Sequence, residues 1–128
     1  MEQSVRDVMT PNPCAISPEA SVMDAAQIMS ECDIGDVVVL EGQGLFGILT
    51  ERDIVVRALA RGLEPATTSV GEICSRVLAT VTPSATLAHA ARLMSERSIR
   101  RLPVVDEAGR VMGVLSIGDL PLAAGATM

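Results

Sequence analysis

The stretch "GILTERDIV", residues Gly47–Val55, brings a glycine, an aliphatic run, a hydroxyl and a carboxylate together in a short span. The aliphatic run predicts a strand, and the residues after Thr50 predict a helix that begins without an intervening loop. Thr50 and Asp53 stand at this joint, three positions apart. The stretch "GVLSIGDLP", residues Gly113–Pro121, repeats the arrangement. The chain therefore contains two copies of one strand–helix joint.

Longer segments of the chain also repeat. "ISPEASVMDAAQIMSE", from Ile16, returns 65 residues later as "VTPSATLAHAARLMSE", from Val81. "VRDVM" near the amino terminus returns as "VGEIC" at that offset, which grows to 66 at the joints because the turn "EGQG" is one residue shorter than "DEAGR". Internal repetition of this kind predicts two copies of one structural unit, residues 1–64 and 65–128.

Each repeat predicts the same order of elements. Ser21 and Thr86 are expected N-caps of amphipathic helices, because apolar residues follow them at helical spacing. A β-branched run then predicts a strand buried on both faces, and a glycine turn leads to a second strand. A final helix is expected over about residues 50–61, with Gly62 at its C′ position. We therefore predict an α/β (α+β) fold of two β-α-β-β-α repeats packed sheet to sheet.

The charge of the chain is uneven. The net charge of -6 argues against binding to nucleic acid or to an anionic membrane. Residues 1–64 hold 11 acidic residues and 4 arginines, whereas residues 65–128 hold 5 and 6, so an anionic ligand is expected in the second half. The sequence shows no signal-peptide pattern and no apolar run long enough to span a membrane. Together with three widely spaced cysteines, this predicts a cytoplasmic protein.

The joints have two interpretations. Thr50 with Asp53, and Ser116 with Asp119, have the spacing of a capping box, in which hydroxyl and carboxylate satisfy the first backbone amides of a helix. A helix that starts at the carboxyl end of a strand is also where open α/β sheets bind ligands, and a carboxylate can accept two ribose hydroxyls. These arguments favour a polyol-phosphate site and leave capping open. The same spacing occurs where capping alone suffices, at Ser4–Asp7, Ser21–Asp24 and Ser69–Glu72.

The doubled pattern Gly-aliphatic-aliphatic-Ser/Thr-x-x-Asp, the segment "LPVVDEAGRVMGVLS" and the repeat resemble a tandem pair of CBS domains, a Bateman module. The resemblance covers about residues 4–122, and "TERDIVVRALARG" is similar to stand-alone bacterial two-CBS-domain proteins. It implies two repeats related by a pseudo-twofold axis. It also implies that adenosine-containing ligands bind in clefts between the repeats: AMP, ADP, ATP, S-adenosylmethionine, NAD(H) or cyclic di-AMP.

The resemblance assigns roles to particular residues. Thr50 with Asp53 would hold phosphate and ribose in one cleft, and Ser116 with Asp119 in the other. The base would contact residues that open each repeat and those at the start of the middle strand: Ala15, Ile16, Ile34, Gly35 and Asp36 in the first, and Thr80, Thr82, Ile99, Arg100 and Arg101 in the second.

Charge distinguishes the two sets. Arg100 and Arg101 match a position that contacts phosphate in the family, whereas the first repeat has Gly35 and Asp36 there. Arg52, in the first turn after Thr50, has two equal interpretations: a phosphate contact or an exposed arginine paired with neighbouring acids.

The sequence offers no catalytic set. His89 has no partner at a usable spacing for catalysis or metal binding, and no phosphate-binding loop of the GxxxxGK[ST] type occurs. We therefore expect a non-catalytic regulatory module without an obligatory cofactor, a homodimer formed through the apolar faces of its first helices, which are rich in Ala and Met, and an unidentified protein effector. A ligand-free interaction module and an RNA or DNA binder are the alternatives. The intact Asp53 and Asp119 argue against the first, and the charge and the lack of stacking aromatics against the second.

Overall fold

The computed structural model describes residues 3–77 and 79–120. In chain order its elements are α1 (Val5–Val8), β1 (Thr10–Pro11), β2 (Ala15–Ile16), α2 (Val22–Cys32), β3 (Asp36–Glu41), β4 (Gly44–Thr50), α3 (Glu51–Asp53), a π-helix (Ile54–Leu59), α4 (Val70–Ile73), β5 (Ser75–Arg76), α5 (Leu87–Arg97), β6 (Arg101–Val105), β7 (Val111–Ser116) and a 3-10 helix (Ile117–Asp119). This mixture of helices and sheets confirms the predicted α+β class.

The chain forms two compact units. The continuous unit is Cys14–Arg76, and the split unit combines Met1–Pro13 with Val77–Met128. The sheet of the continuous unit has the order β2-β3-β4-β5, in which β2 runs parallel to β3 and the other pairs are antiparallel. The sheet of the split unit has the order β1-β7-β6, and both of its pairs are antiparallel.

These units do not coincide with the division at residues 64 and 65 that the repeat suggested. The opening helix of each repeat packs in the unit that holds the rest of the other repeat. The amide of Val5 donates to the carbonyl of Ala85 at 2.9 Å, and that of Val70 donates to Ala20 at 2.8 Å. Both valines are fully buried in those cores. The repeats are therefore units of sequence, whereas the compact units exchange their first helices.

The two long helices begin at the predicted caps. The side chain of Ser21 accepts from the amide of Asp24 at 3.0 Å, and that of Thr86 accepts from His89 at 3.1 Å. The expected apolar positions face the cores. Val22, Ala25 and Met29 are buried in the continuous unit, and Leu87, Ala90, Ala91 and Met94 in the split unit.

The middle strand is also buried as expected. Val37, Val38 and Val39 are at most 1% exposed although successive side chains of a strand point to opposite faces. In the split unit, Leu102, Pro103 and Val104 are consecutive and buried in the same way.

The helix expected over about residues 50–61 has two parts. The α-helical turn ends after Asp53 and passes directly into the π-helix Ile54–Leu59, where the amide of Ala60 donates to the carbonyl of Val55 at 2.9 Å. The π-helix opens with three consecutive β-branched residues, whose stiff side chains crowd a regular helical turn. We ascribe the wider turn to that crowding.

The end of this helix follows the prediction. Gly62 has a φ of 74°, a left-handed conformation that favours glycine. Its amide donates to Leu59 at 3.1 Å, and the amide of Leu63 donates to Ala58 at 3.0 Å, which together complete a Schellman motif. The helix expected at the corresponding place in the second repeat lies largely after Leu120, outside the described residues.

Candidate functional site

The first joint lies where β4 meets α3. The amide of Thr50 donates to Oδ2 of Asp53 at 3.0 Å, and the amide of Asp53 donates to Oγ1 of Thr50 at 3.1 Å. The capping box is therefore fully formed. Asp53 is only 7% exposed, so its charge depends on partners within the protein.

Those partners come from two other parts of the continuous unit. The hydroxyl of Ser75 lies 3.2 Å from Oδ1 of Asp53 and 3.3 Å from Oδ2. Arg57, four residues after Asp53, places Nε 3.7 Å from Oδ1. Ser75 reaches the site because β5 pairs with β4 and sets Ser75 opposite Ile48. Both carboxylate oxygens therefore have intramolecular partners.

Sequence reasoning did not select Ser75 or Arg57. The position of Arg57 is a usable signal, because residues four apart lie on the same helical face. Ser75 carries no such signal. It lies 22 residues from Asp53 and becomes a neighbour only through the pairing of β5 with β4.

The second joint, between β7 and the 3-10 helix, shares the backbone frame. The amide of Ser116 donates to Oδ2 of Asp119 at 2.8 Å, and the hydroxyl of Ser116 donates to the same oxygen at 3.0 Å. Asp119 is half-buried rather than buried. Within the described residues, Oδ1 of Asp119 accepts no hydrogen bond, so this carboxylate keeps accepting capacity that Asp53 uses internally.

Each joint contacts the start of its middle strand in the same way. The amide of Glu51 donates to the carbonyl of Gly35 at 3.0 Å, and the amide of Ile117 donates to that of Arg100 at 2.8 Å. Strand pairing sets Asp36 opposite Thr50 and Arg101 opposite Ser116. The structure thus brings the predicted middle-strand residues to the joints in both units.

The surroundings differ in charge. At the first joint, a Cβ added to Gly35 would lie 2.5 Å from Oε1 of Glu51, so the Glu51 carboxylate covers this glycine. At the second joint, the exposed Arg100 occupies the corresponding position. One joint is bordered by acidic side chains and the other by arginine.

The residues expected to contact a base are less uniform. In the continuous unit, Ala15 pairs with Val38, two positions along β3 from Asp36, and Ile16 and Ile34 are partly buried against the core. In the split unit, Ile99 packs against the core in the same manner.

Thr80 and Thr82 flank Val81, which pairs with Val104 on β6. Thr82 lines a cavity of about 570 Å³ beside the hairpin turn, together with Arg6, Asp106 and Arg110. Val105, whose amide donates to Val81, lies four residues from Arg101, or about 13 Å along a strand. The structure therefore places Thr82 towards the turn and away from the joint.

A groove of about 500 Å³ adjoins the first joint. Two acidic residues, Asp33 and Glu51, line this groove, and so do two predicted ligand contacts, Ile34 and Gly35. The other lining residues are mostly apolar: Ala26, Met29, Ser30, Ile54 and Val55. Arg52 is exposed, and so is His89, as expected. Among the described residues no group of three His, Cys, Asp or Glu side chains could hold a metal ion.

The cysteines are free thiols. Burial raises the pKa of Cys74, and a hydrogen bond with Cys14 raises the pKa of the exposed Cys32. In the part of the chain that the structure describes, no helix is both long and apolar enough to cross a bilayer.

Known proteins are similar to this chain in sequence and in fold. The CBS domain-containing protein YhcV of Bacillus subtilis is 38% identical over 117 residues, which are 91% of this chain and 82% of that protein. The crystal structure of CBSX2 in complex with AMP covers 98% of both chains, with 29% identity and a TM-score of 0.75. The CBS domain pair of protein MJ0100, in complex with 5′-methylthioadenosine and S-adenosyl-L-methionine, covers all of both chains, with 28% identity and a TM-score of 0.83.

A further structure bears on assembly. The hexameric CBS-CP12 protein from bloom-forming cyanobacteria matches 93% of this chain and 66% of its own, with 33% identity and a TM-score of 0.84. The CBS domain family itself matches residues 5–59 and 70–122, which contain both joints. The chain belongs to the CBS domain family and holds two CBS domains in tandem.

Proposed function

We propose that this CBS pair is a non-catalytic regulatory module that binds an adenosine-containing ligand, with AMP, ADP or ATP as the first candidates. The second joint carries the proposal. A half-buried carboxylate with accepting capacity and a serine hydroxyl lie together at Asp119 and Ser116, and the carbonyl of the exposed Arg100 accepts from the amide of Ile117 within this joint at 2.8 Å. These groups match the ribose and phosphate of a nucleotide in chemistry. The AMP complex of CBSX2, similar over nearly the whole chain, supports the same ligand class.

A panel of ligands tests this proposal by thermal shift. AMP, ADP, ATP, S-adenosylmethionine, NAD(H), cyclic di-AMP and adenosine would each be added, with GMP as the control for the base. A ligand at 100 times its Kd stabilises the folded state by about 2.7 kcal/mol, which raises the Tm of a domain of this size by about 10 °C. Equal responses to AMP and GMP, or no response to any adenosine ligand, would refute the proposal.

We also propose that the protein forms a homodimer through the continuous unit. Four large apolar side chains are exposed there, between 40% and 55%, on α2 and the π-helix: Met23, Val55, Val56 and Leu59. Apolar surface of this kind is typical of interfaces between subunits. The hexameric CBS-CP12 protein makes a larger assembly the competing outcome. Light scattering would give twice the chain mass of 13.4 kDa for the dimer.

The interaction-module alternative has one observation in its favour. Asp53 is satisfied by its own protein, as a joint without a ligand would require. An unidentified protein effector remains part of the proposal, because a regulatory module must transmit the bound state to a target. The net charge of -6 still argues against a nucleic-acid partner. The cytoplasmic location stays a prediction from the sequence.

A further inference from the structure

We infer that the two joints have different roles: the second binds a nucleoside phosphate, and the first is closed by its own side chains and holds the fold together. This inference rests on the proposed function and makes it more specific. It assigns one nucleotide to each chain, in the split unit, and names a phosphate group as part of what is recognised.

The closure of the first joint rests on the contacts of Asp53. The carboxylate accepts from the amide of Thr50 and the hydroxyl of Ser75, and it lies 3.7 Å from Nε of Arg57. A ribose hydroxyl would compete with Ser75 and Arg57 for a carboxylate that is 7% exposed. A ribose hydroxyl that displaced the Ser75 hydroxyl would exchange one hydrogen bond for another, so the exchange yields little affinity.

In the part of the chain that the structure describes, the second joint has neither closing group. Thr10 corresponds to Ser75, since it pairs with Val114 as Ser75 pairs with Ile48. Thr10 is exposed, and in the described residues its side chain makes no hydrogen bond to Asp119. The position that corresponds to Arg57 is Ala123, whose side chain cannot pair with a carboxylate. Asp119 can therefore accept ribose hydroxyls without releasing a partner.

The charges around the two joints also favour phosphate binding at the second joint over the first. Beside Gly35 the first joint has the Glu51 carboxylate, where a phosphate would meet a like charge. The second joint has Ile117 in place of Glu51 and Arg100 in place of Gly35. The whole units follow this pattern: Cys14–Arg76 holds 10 acidic residues and 4 arginines, and the remainder holds 6 of each.

Calorimetric titration of the full chain with AMP tests the inference. We expect a single AMP to bind per chain. Asp119→Asn should weaken AMP binding by about ten- to a hundred-fold, because a neutral amide replaces a charged acceptor. Asp53→Asn should change AMP affinity by less than about twofold, since its side chain is directed at protein groups. Ser75→Ala is the second variant if Asp53→Asn does not fold, and it should leave AMP affinity similarly unchanged.

Two equivalent sites, an affinity loss in Asp53→Asn or Ser75→Ala as large as in Asp119→Asn, or an unaffected Asp119→Asn would overturn the inference and leave the proposed function standing. Failure of the unmodified chain to bind any adenosine ligand would overturn the proposed function and the inference with it.

Discussion

The two joints of this protein share a backbone frame and differ in what surrounds it. In both, the amide of the capping residue donates to a carboxylate three residues on, at 3.0 Å for Thr50 and 2.8 Å for Ser116. Asp53 is then enclosed by Ser75 and Arg57, whereas Asp119 is half-buried beside arginine. A motif of four residues can thus be a cap in one unit and a candidate binding group in the other. The decision lies with side chains outside the motif.

The two units should differ most in assembly, because the large apolar side chains that are exposed among the described residues all lie on the continuous unit. Leu59→Glu should raise the Kd of the homodimer by at least about a hundredfold, since a symmetric interface would bury two new charges. Sedimentation velocity over a concentration series measures the change. Ala88→Glu is the control, on an exposed position of α5 in the split unit. Equal weakening by both variants would show that the interface does not distinguish the units.

The carboxylates of the two joints should also differ in how much they contribute to the free energy of unfolding. Asp53→Ala removes a cap and leaves the Ser75 hydroxyl and the Thr50 amide without their acceptor, so we expect a loss of about 3 kcal/mol in the free energy of unfolding. Asp119→Ala removes a cap at a half-buried site and should cost about 1 kcal/mol. Urea denaturation of the ligand-free protein gives both values. Similar losses would mean that Ser75 and Arg57 add nothing to the cap.

Phosphate recognition provides a smaller test. Arg100→Ala should weaken AMP about tenfold and leave adenosine unaffected, because only AMP offers a phosphate to a guanidinium. Arg97→Ala is the matched control: it removes an exposed arginine at the end of α5 in the same unit. Calorimetry at low and high salt should show that the Arg100 effect shrinks as screening increases. A tenfold loss for adenosine as well would assign Arg100 to packing instead.

The smallest expected difference between the two units is in the stability that their hairpin turns contribute, β3–β4 in one unit and β6–β7 in the other. Backbone amides of Arg110 and Ala108, together with the charge of Arg110, lower the pKa of Asp106. A lowered folded-state pKa means that the carboxylate stabilises the fold above its unfolded pKa of about 3.9, and that this contribution disappears as pH falls through the folded value. Asp106→Asn should therefore be less stable than the unmodified chain at about pH 6, and the difference should shrink as the pH is lowered below about 3.9 in urea denaturation. Glu41→Gln, at the corresponding position of the other turn, is the control.

Much of the fold was predictable because it depends on local patterns. The caps at Ser21 and Thr86, the buried valines of β3 and the Schellman glycine Gly62 all follow from neighbouring residues, and all are confirmed. The exchange of opening helices was not predictable from the repeat. A cap such as Ser4–Asp7 predicts where a helix starts, but it contains nothing about which distant core will bury Val5.

In the candidate site, too, some contacts were predictable from the sequence and one was not. The cap contacts within each joint follow from spacing, and the pairing of Asp36 with Thr50 and of Arg101 with Ser116 follows from the hairpins. The closure of Asp53 by Ser75 needs the pairing of β5 with β4, which brings together residues from different sequence repeats. Long-range strand pairing has no short-range signature, so this contact emerges only from the tertiary structure.

The exchanged opening helices also order events during translation. α1 leaves the ribosome first, but its core partners extend to Leu115, so Val5 stays without them for on the order of 10 s at usual elongation rates. The continuous unit, by contrast, is complete once Arg76 has emerged. We expect α1 to compete with α4 for the same place in the continuous unit, because in each helix a valine directly follows a serine cap. We therefore expect the nascent chain to fold correctly only if α4, and not α1, packs in the continuous unit.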